Sequence, residues 1–224
     1  SNGGLNATQV QKNGGHYEVL LEHENVKYDV WKVDASGNFV SSIKAKLWQD
    51  EEKFGLNLNG DDVTGLAEIE DNGDVHLKHG DDAYNDAPKY YFVGGSGDPI
   101  SLTRGGAQTG PNSYNGWSAT QVEEGANSGF EVLWSHSDGR IMQWEVDELG
   151  SYQSHITATN AQRETTFEVD LDGDGVIGIR PLETNGNYIL GSSGNLYYIV
   201  DANANSISLT RGGAQTGPNS YNGW

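Results

Sequence analysis

The sequence predicts an all-β protein of two tandem antiparallel modules, sandwich-like or barrel-like, each with one acidic cation-binding loop. Three observations predict it. Short runs that alternate aromatic or β-branched residues with polar ones recur between clusters of Gly, Asn, Asp and Ser, the signature of strands and turns. The passage ISLTRGGAQTGPNSYNGW occurs twice, at Ile100–Trp117 and Ile207–Trp224, and long internal identities signal repeated modules. The stretch DLDGDGVI at 170–177 spaces its carboxylates as a calcium loop does. Four-stranded propeller blades are the alternative architecture.

Self-alignment places the modules at 1–117 and 118–224. Glu18, Trp31 and Phe54 pair with Glu131, Trp144 and Phe167 at an offset of 113; six extra residues around Lys78–Pro88 then reduce the offset to 107, so that Tyr90 meets Tyr197. In module one the alternation predicts strands at 17–22, 27–33 and 38–43, with DASGN (34–38) as the turn between the last two. Their counterparts are 130–135, 140–146 and 152–156. A short helix is expected within 45–54; its counterpart at 158–167 is a poorer helix former. Further strands are expected at 75–77, 90–93 and 100–102, and at 188–190, 196–200 and 207–209, giving about seven or eight strands per module.

Composition narrows the function. A net charge of -19 repels nucleic acid and anionic lipid and attracts divalent cations. Cysteine is absent, which excludes a disulfide scaffold and thiol chemistry. There is no apolar run of membrane-spanning length, so no membrane insertion is expected. No nucleophile elbow, zinc-protease or phosphate-loop pattern is present, and carboxylate pairs are too frequent among 32 acids to define a hydrolase. His76 and His79 read as part of a solvated loop; His23 and His136 read as strand-end residues.

The loop at 170–178 offers Asp170, Asp172 and Asp174 at positions 1, 3 and 5, glycine at the turn, the Val176 carbonyl at position 7 and Ile177 as a core anchor. Position 12 is Pro181, and Glu183 stands two residues beyond as a substitute acid. The counterpart loop offers Asn57, Asn59, Asp61, the Val63 carbonyl and, at position 12, Glu68. Two carboxylates have become amides there and the turn glycine has become Asp62, so weaker calcium binding is expected. Mg²⁺ suits such loops less, because it demands octahedral geometry and keeps its waters.

Trp31 and Trp144 fall in alternating strands and read as core. Trp117, Tyr114 and Arg104, with their counterparts Trp224, Tyr221 and Arg211, lie in the polar identical passage. They read either as the seam between neighbouring repeats or as a carbohydrate platform in which sugars stack on rings.

Taken together, "LETNGNYIL", "GNLYYIV", "ISLTRGGA", "GWSATQVEEGANSGFEVLW", "MQWEVDELGSYQS" and "TTFEVDLDGDGVIG" resemble the tryptophan-rich repeat domain of large bacterial secreted proteins, first named from cyanobacterial C-termini. The resemblance covers most of the chain. Two departures stand in module one: Leu21 replaces the tryptophan of V-L-W, and the loop reads NLNGDDVTG. On the family's frame, 69–178 is one intact unit between two partial ones. The resemblance implies a secreted or bacterial cell-surface setting, in hemolysin-like or adhesin-like proteins, and calcium as cofactor. The expected function is a non-catalytic, calcium-stabilised repeat module with a structural or adhesive role, its partners the neighbouring repeats of a parent protein. A carbohydrate-binding module recognising surface glycans is the alternative.

Overall fold

The structure, a computed structural model, describes residues 4–24, 27–43, 46–82, 87–95, 97–111 and 113–220. In the first sheet, β1 (Leu5–Asn13), β2 (His16–His23), β3 (Tyr28–Val33) and β4 (Phe39–Ile43) run antiparallel in chain order. The DASGN turn joins β3 to β4: Asp34 Oδ1 accepts the N–H groups of Ser36 and Asn38, each at 2.8 Å. Alternation then sorts the side chains. Leu20 and Val30, paired across β2 and β3, pack with Leu47, Phe54 and Leu58, whereas Val19 and Trp31 pair on the opposite face.

Helix α1 (Leu47–Phe54) follows. The carbonyls of Asp82 and Asp81 accept from Leu47 N and Trp48 N, and Gly55 ends the helix in the left-handed region at φ 68°. Strands β5 (Ala67–Glu70), β6 (Val75–Gly80), β7 (Lys89–Gly94) and β8 (Ile100–Ser101) form the second sheet, again in chain order. Its Tyr91 meets Trp48 of α1 edge-on at 5.4 Å, so α1 lies between the first two sheets. The hairpin β9 (Thr103–Arg104) and β10 (Ala107–Gln108) leads to the third sheet of β11 (Trp117–Glu124), β12 (Phe130–His136), β13 (Ile141–Val146) and β14 (Tyr152–Ile156).

The largest core lies between the second and third sheets. Val75, Leu77, Tyr90, Phe92 and Leu102 face Ala119, Val122, Val132, Trp134, Trp144 and Val146, all buried. Trp134 and Trp144 are 0% exposed and tilt against each other at 4.5 Å. Burial of a large apolar side chain contributes about 1.5–3 kcal/mol, so this layer dominates the stability of the first 154 residues. The expected core role of Trp144 is what the structure shows; Trp31 is only half-buried.

Contacts divide the chain into compact units at 1–154 and 155–224. These bounds differ from those of the sequence repeat. The second unit holds α2 (Asn160–Phe167), then β15 (Arg180–Glu183), β16 (Ile189–Ser193), β17 (Leu196–Val200) and β18 (Ser206–Ser208) as a fourth sheet, and the hairpin β19 (Thr210–Arg211) and β20 (Ala214–Gln215). Poor intrinsic propensity does not prevent α2. Thr159 Oγ1 accepts Gln162 N at 3.2 Å while Gln162 Oε1 accepts Thr159 N at 2.8 Å, a reciprocal cap.

The protein is therefore mostly β, in antiparallel sheets. Among the described residues no sheet closes on itself, which corrects the barrel-like form of the expectation: first and last strands of each sheet stay unpaired with one another. His76 and His79 stand within β6 rather than in a loop, because their backbones pair with Val93 and Tyr90. No helix among the described residues is long and apolar enough to cross a membrane.

One buried acid on α1 gives a pH test. Burial pushes the Asp50 carboxyl up to about 6, with Lys53 at 3.7 Å opposing the shift. Its ionised form destabilises the fold above pH 6, and the penalty fades as pH falls toward the unfolded value near 4. Lys53 keeps a second partner in Glu18 at 2.9 Å. Asp50→Asn should thus stabilise the protein by about 2 kcal/mol at pH 7.5 and by almost nothing at pH 4, in urea titrations of both proteins at each pH.

Candidate functional site

The two acidic loops, 57–65 and 170–178, are built alike, and a buried glutamate from the preceding helix organises each. Glu51 and Glu164, 113 residues apart in sequence, are both 0% exposed. Glu164 Oε1 accepts Leu171 N and Asp172 N at 3.1 Å each, and its Oε2 accepts Gly178 N at 3.0 Å. Glu51 does the same for Leu58 N (2.9 Å), Asn59 N (3.2 Å) and Gly65 N (3.1 Å). Burial raises the pKa of both glutamates, with the charge of Asp172 adding to the rise at Glu164, while the backbone donors pull the other way.

Within the 170–178 loop the aspartates fold the backbone around themselves. Asp170 accepts Gly173 N (2.7 Å) and Gly175 N (2.8 Å); the Gly175 contact leads in holding its carboxyl below the usual range. Asp172 Oδ1 accepts Asp174 N at 3.0 Å, and Asp174 Oδ1 accepts Val176 N at 2.8 Å. Ser193 Oγ donates to Asp172 Oδ2 at 3.0 Å, and Arg180 Nε stands 3.3 Å from Asp174 Oδ2. The 57–65 loop repeats the pattern: Asn57 accepts Gly60 N (2.7 Å), Asn59 accepts Asp61 N (3.0 Å) and Asp61 accepts Val63 N (2.9 Å).

One carboxylate oxygen each of Glu164, Asp170 and Asp172 lies within 4.8 Å of the others. Two ligands of one Ca²⁺ are separated by at most about twice the 2.3–2.6 Å bond, so the spacing suits that ion. The expected acids beyond each loop have partners of their own. Glu183 on β15 accepts Asn185 N, and Glu68 on β5 pairs with Lys78 at 2.9 Å and faces His76 at 3.9 Å. In these loops a strand follows, not the helix of an EF-hand, so the braced acid comes from the helix before. Sequence reading missed Glu51 and Glu164; their identity at the common offset was the available signal.

The identical passage threads the edge of the second and third sheets. Leu102 N donates to Tyr90 O (3.0 Å), Thr109 N to Leu102 O (2.9 Å) and Tyr90 N to Thr109 O (2.8 Å). A Cβ on Gly110 would lie 1.8 Å from Pro88 O, so only glycine fits. The Arg104 guanidinium sits over Tyr114 (5.7 Å), Trp144 (5.2 Å) and Tyr152 (4.7 Å). Tyr114 meets Trp134 edge-on at 5.6 Å; half-buried Trp117 meets His136 at 5.0 Å, with Arg140 over its ring at 5.4 Å. In the second copy the same backbone bonds join Tyr197, Leu209 and Thr216, each 2.8 Å long. Arg211 is exposed on β19; Tyr221 and Trp224 lie outside the described residues.

Sheet-on-sheet packing around paired tryptophans makes 67–156 the centre of an all-β, tryptophan-rich protein. Residues 83–178 match the family described as the tryptophan-rich Synechocystis species C-terminal domain, so this stretch is similar to that domain. The matched range takes in the third sheet, α2 and the 170–178 loop. No curated protein matches the chain.

Two outcomes follow from the loops. Glu51→Ala removes the acceptor for the buried N–H groups of Leu58 and Gly65 and should cost about 3 kcal/mol in urea unfolding, with Glu51→Gln losing less. Asp62 adopts φ 68° where its counterpart Gly175 adopts 80°. Asp62→Gly should therefore raise stability by about 0.5–1 kcal/mol, measurable as a higher melting temperature.

Proposed function

We propose that the chain is a non-catalytic repeat module of a bacterial extracellular or cell-surface protein, stabilised by calcium, with a structural or adhesive role. The observation that carries this reading is the convergence of Glu164, Asp170 and Asp172 on a loop already shaped by its own backbone contacts. Glu164, Asp170 and Asp172 would hold the ion, with Asp174 and the Val176 carbonyl as the further ligands that the loop spacing offers. Calcium would offset the mutual repulsion of these carboxylates and compete with Arg180 for Asp174. The 57–65 loop, with Asn57, Asn59 and Asp61 in the same places, is the weaker site because amides carry no charge. The similarity to the tryptophan-rich domain supports the bacterial setting.

The glycan reading of Arg104, Tyr114 and Trp117 finds less support. All three are engaged with Trp134, Trp144, Tyr152, His136 or Arg140 at the junction of two sheets. Packing between neighbouring modules accounts for them.

Binding to the folded chain alone stabilises by about 2.7 kcal/mol at a hundredfold excess over Kd. The melting temperature should therefore rise with millimolar Ca²⁺ and fall in EDTA, and Asp172→Ala should abolish most of the response. A melting curve indifferent to calcium and EDTA would overturn the calcium reading.

A further inference from the structure

The fourth sheet presents the same apolar face that the second sheet buries. Val75, Leu77, Phe92, Ile100 and Leu102 of the second-sheet region have as counterparts Tyr188, Leu190, Ile199, Ile207 and Leu209. The strand register agrees: Leu77 pairs with Phe92 and Phe92 with Ile100, as Leu190 pairs with Ile199 and Ile199 with Ile207. The first set is buried or half-buried against the third sheet, whereas every member of the second is exposed, Tyr188 by 63% and Ile207 by 65%. Glu183, Tyr188, Leu190 and Ile199 line a shallow groove of about 520 Å³ there.

The first sheet presents the complementary face. It is the counterpart of the third sheet, down to the bulge in β1 between Ala7 and Gln9, matched in β11 between Ala119 and Gln121. Val122, Val132, Trp144, Val146 and Tyr152, which receive the second sheet, correspond to Val10, Val19, Trp31, Val33 and Phe39. Trp31 and Phe39 already meet edge-on at 4.9 Å, as Trp144 and Tyr152 do at 4.7 Å. Yet Val10 is 60% and Phe39 55% exposed. Contiguous apolar faces of this kind mark interaction sites.

We infer that the fourth sheet of one copy docks on the first sheet of a second copy, reproducing between chains the packing that joins the second and third sheets within one. This rests on the reading of the chain as a repeat module, but on its packing and not on calcium. The interface is head-to-tail, so association adds copies in a row. Several contacts have counterparts ready. Tyr90 Oη accepts Ala119 N at 3.1 Å and Glu70 Oε2 accepts Val122 N at 3.4 Å; Tyr197 and Glu183 would meet Ala7 and Val10. The first sheet's face is smaller, with Leu21 for Trp134 and Asp29 for Met142, so this docking is weaker than the internal one.

Sedimentation of the full chain at rising concentration, in physiological salt with EDTA and again with Ca²⁺, tests the inference. The weight-average mass should climb above the 24.2 kDa of one chain. Ile199→Asp and Phe39→Asp should each remain monomeric, and an equimolar mixture of the two should form a heterodimer of twice the monomer mass and grow no further. Ile207→Asp serves in place of Ile199→Asp should the latter lose its cooperative melt. A wild-type chain monomeric at millimolar concentration, a Phe39→Asp variant that still self-associates, or a mixture that stays monomeric overturns the proposal. If wild type is monomeric and either substitution alone lowers its melting temperature by several degrees, the two faces close within one chain, and the proposal fails equally. The calcium melting test decides the other reading independently.

Discussion

Removal of one sheet face from water by another is the constraint on which the rest of the first unit depends. The second sheet has short outer strands and an apolar face that must leave water. Packed on Trp134 and Trp144, it becomes half of a closed aromatic core. Arg104 then finds its place by default. Its guanidinium covers three rings at the rim, a cation over π-faces in a chain otherwise dominated by negative charge. Arg104 stands on the hairpin of β9 and β10.

The buried glutamates show a second economy. Ionised and out of water, Glu51 and Glu164 are costly unless their oxygens are fully bonded. Each meets three backbone N–H groups that the loop would otherwise leave unpaired. The acid and the loop therefore need each other, which explains why both copies keep glutamate while the loop's own side chains drift from Asp170 and Asp172 to Asn57 and Asn59. The brace is structural, and it sets Glu164 within 4.8 Å of the carboxylates of Asp170 and Asp172.

Strands β2, β3, β12, β13 and β17 were legible in the sequence because they are short runs of aromatic and branched apolar residues bounded by Gly, Asn, Asp and Ser. Strands β1 and β11 were not. LNATQVQKN in β1 is mostly polar, and its extended form comes from pairing with β2 across a bulge, a tertiary cause that local pattern does not carry. The loops were legible as acidic turns from the spacing of Asp170, Asp172 and Asp174. What held them was not, because the brace sits six residues upstream on a helix with weak propensity, fixed by the Thr159 and Gln162 cap. Downstream of each loop a strand, β5 or β15, stands where an EF-hand has its second helix.

Among the described residues, each four-stranded sheet takes its strands in chain order. That arrangement keeps partners close along the chain, so most of each sheet can form through short loops with little closure entropy. Within the first unit, the mating of the second and third sheets brings together surfaces built by separate meanders. By that argument the sheets of the first unit should assemble quickly as local plates, and the docking of the second on the third should come later. A destabilising change inside a plate and one on its mating face would therefore be felt at different stages of folding.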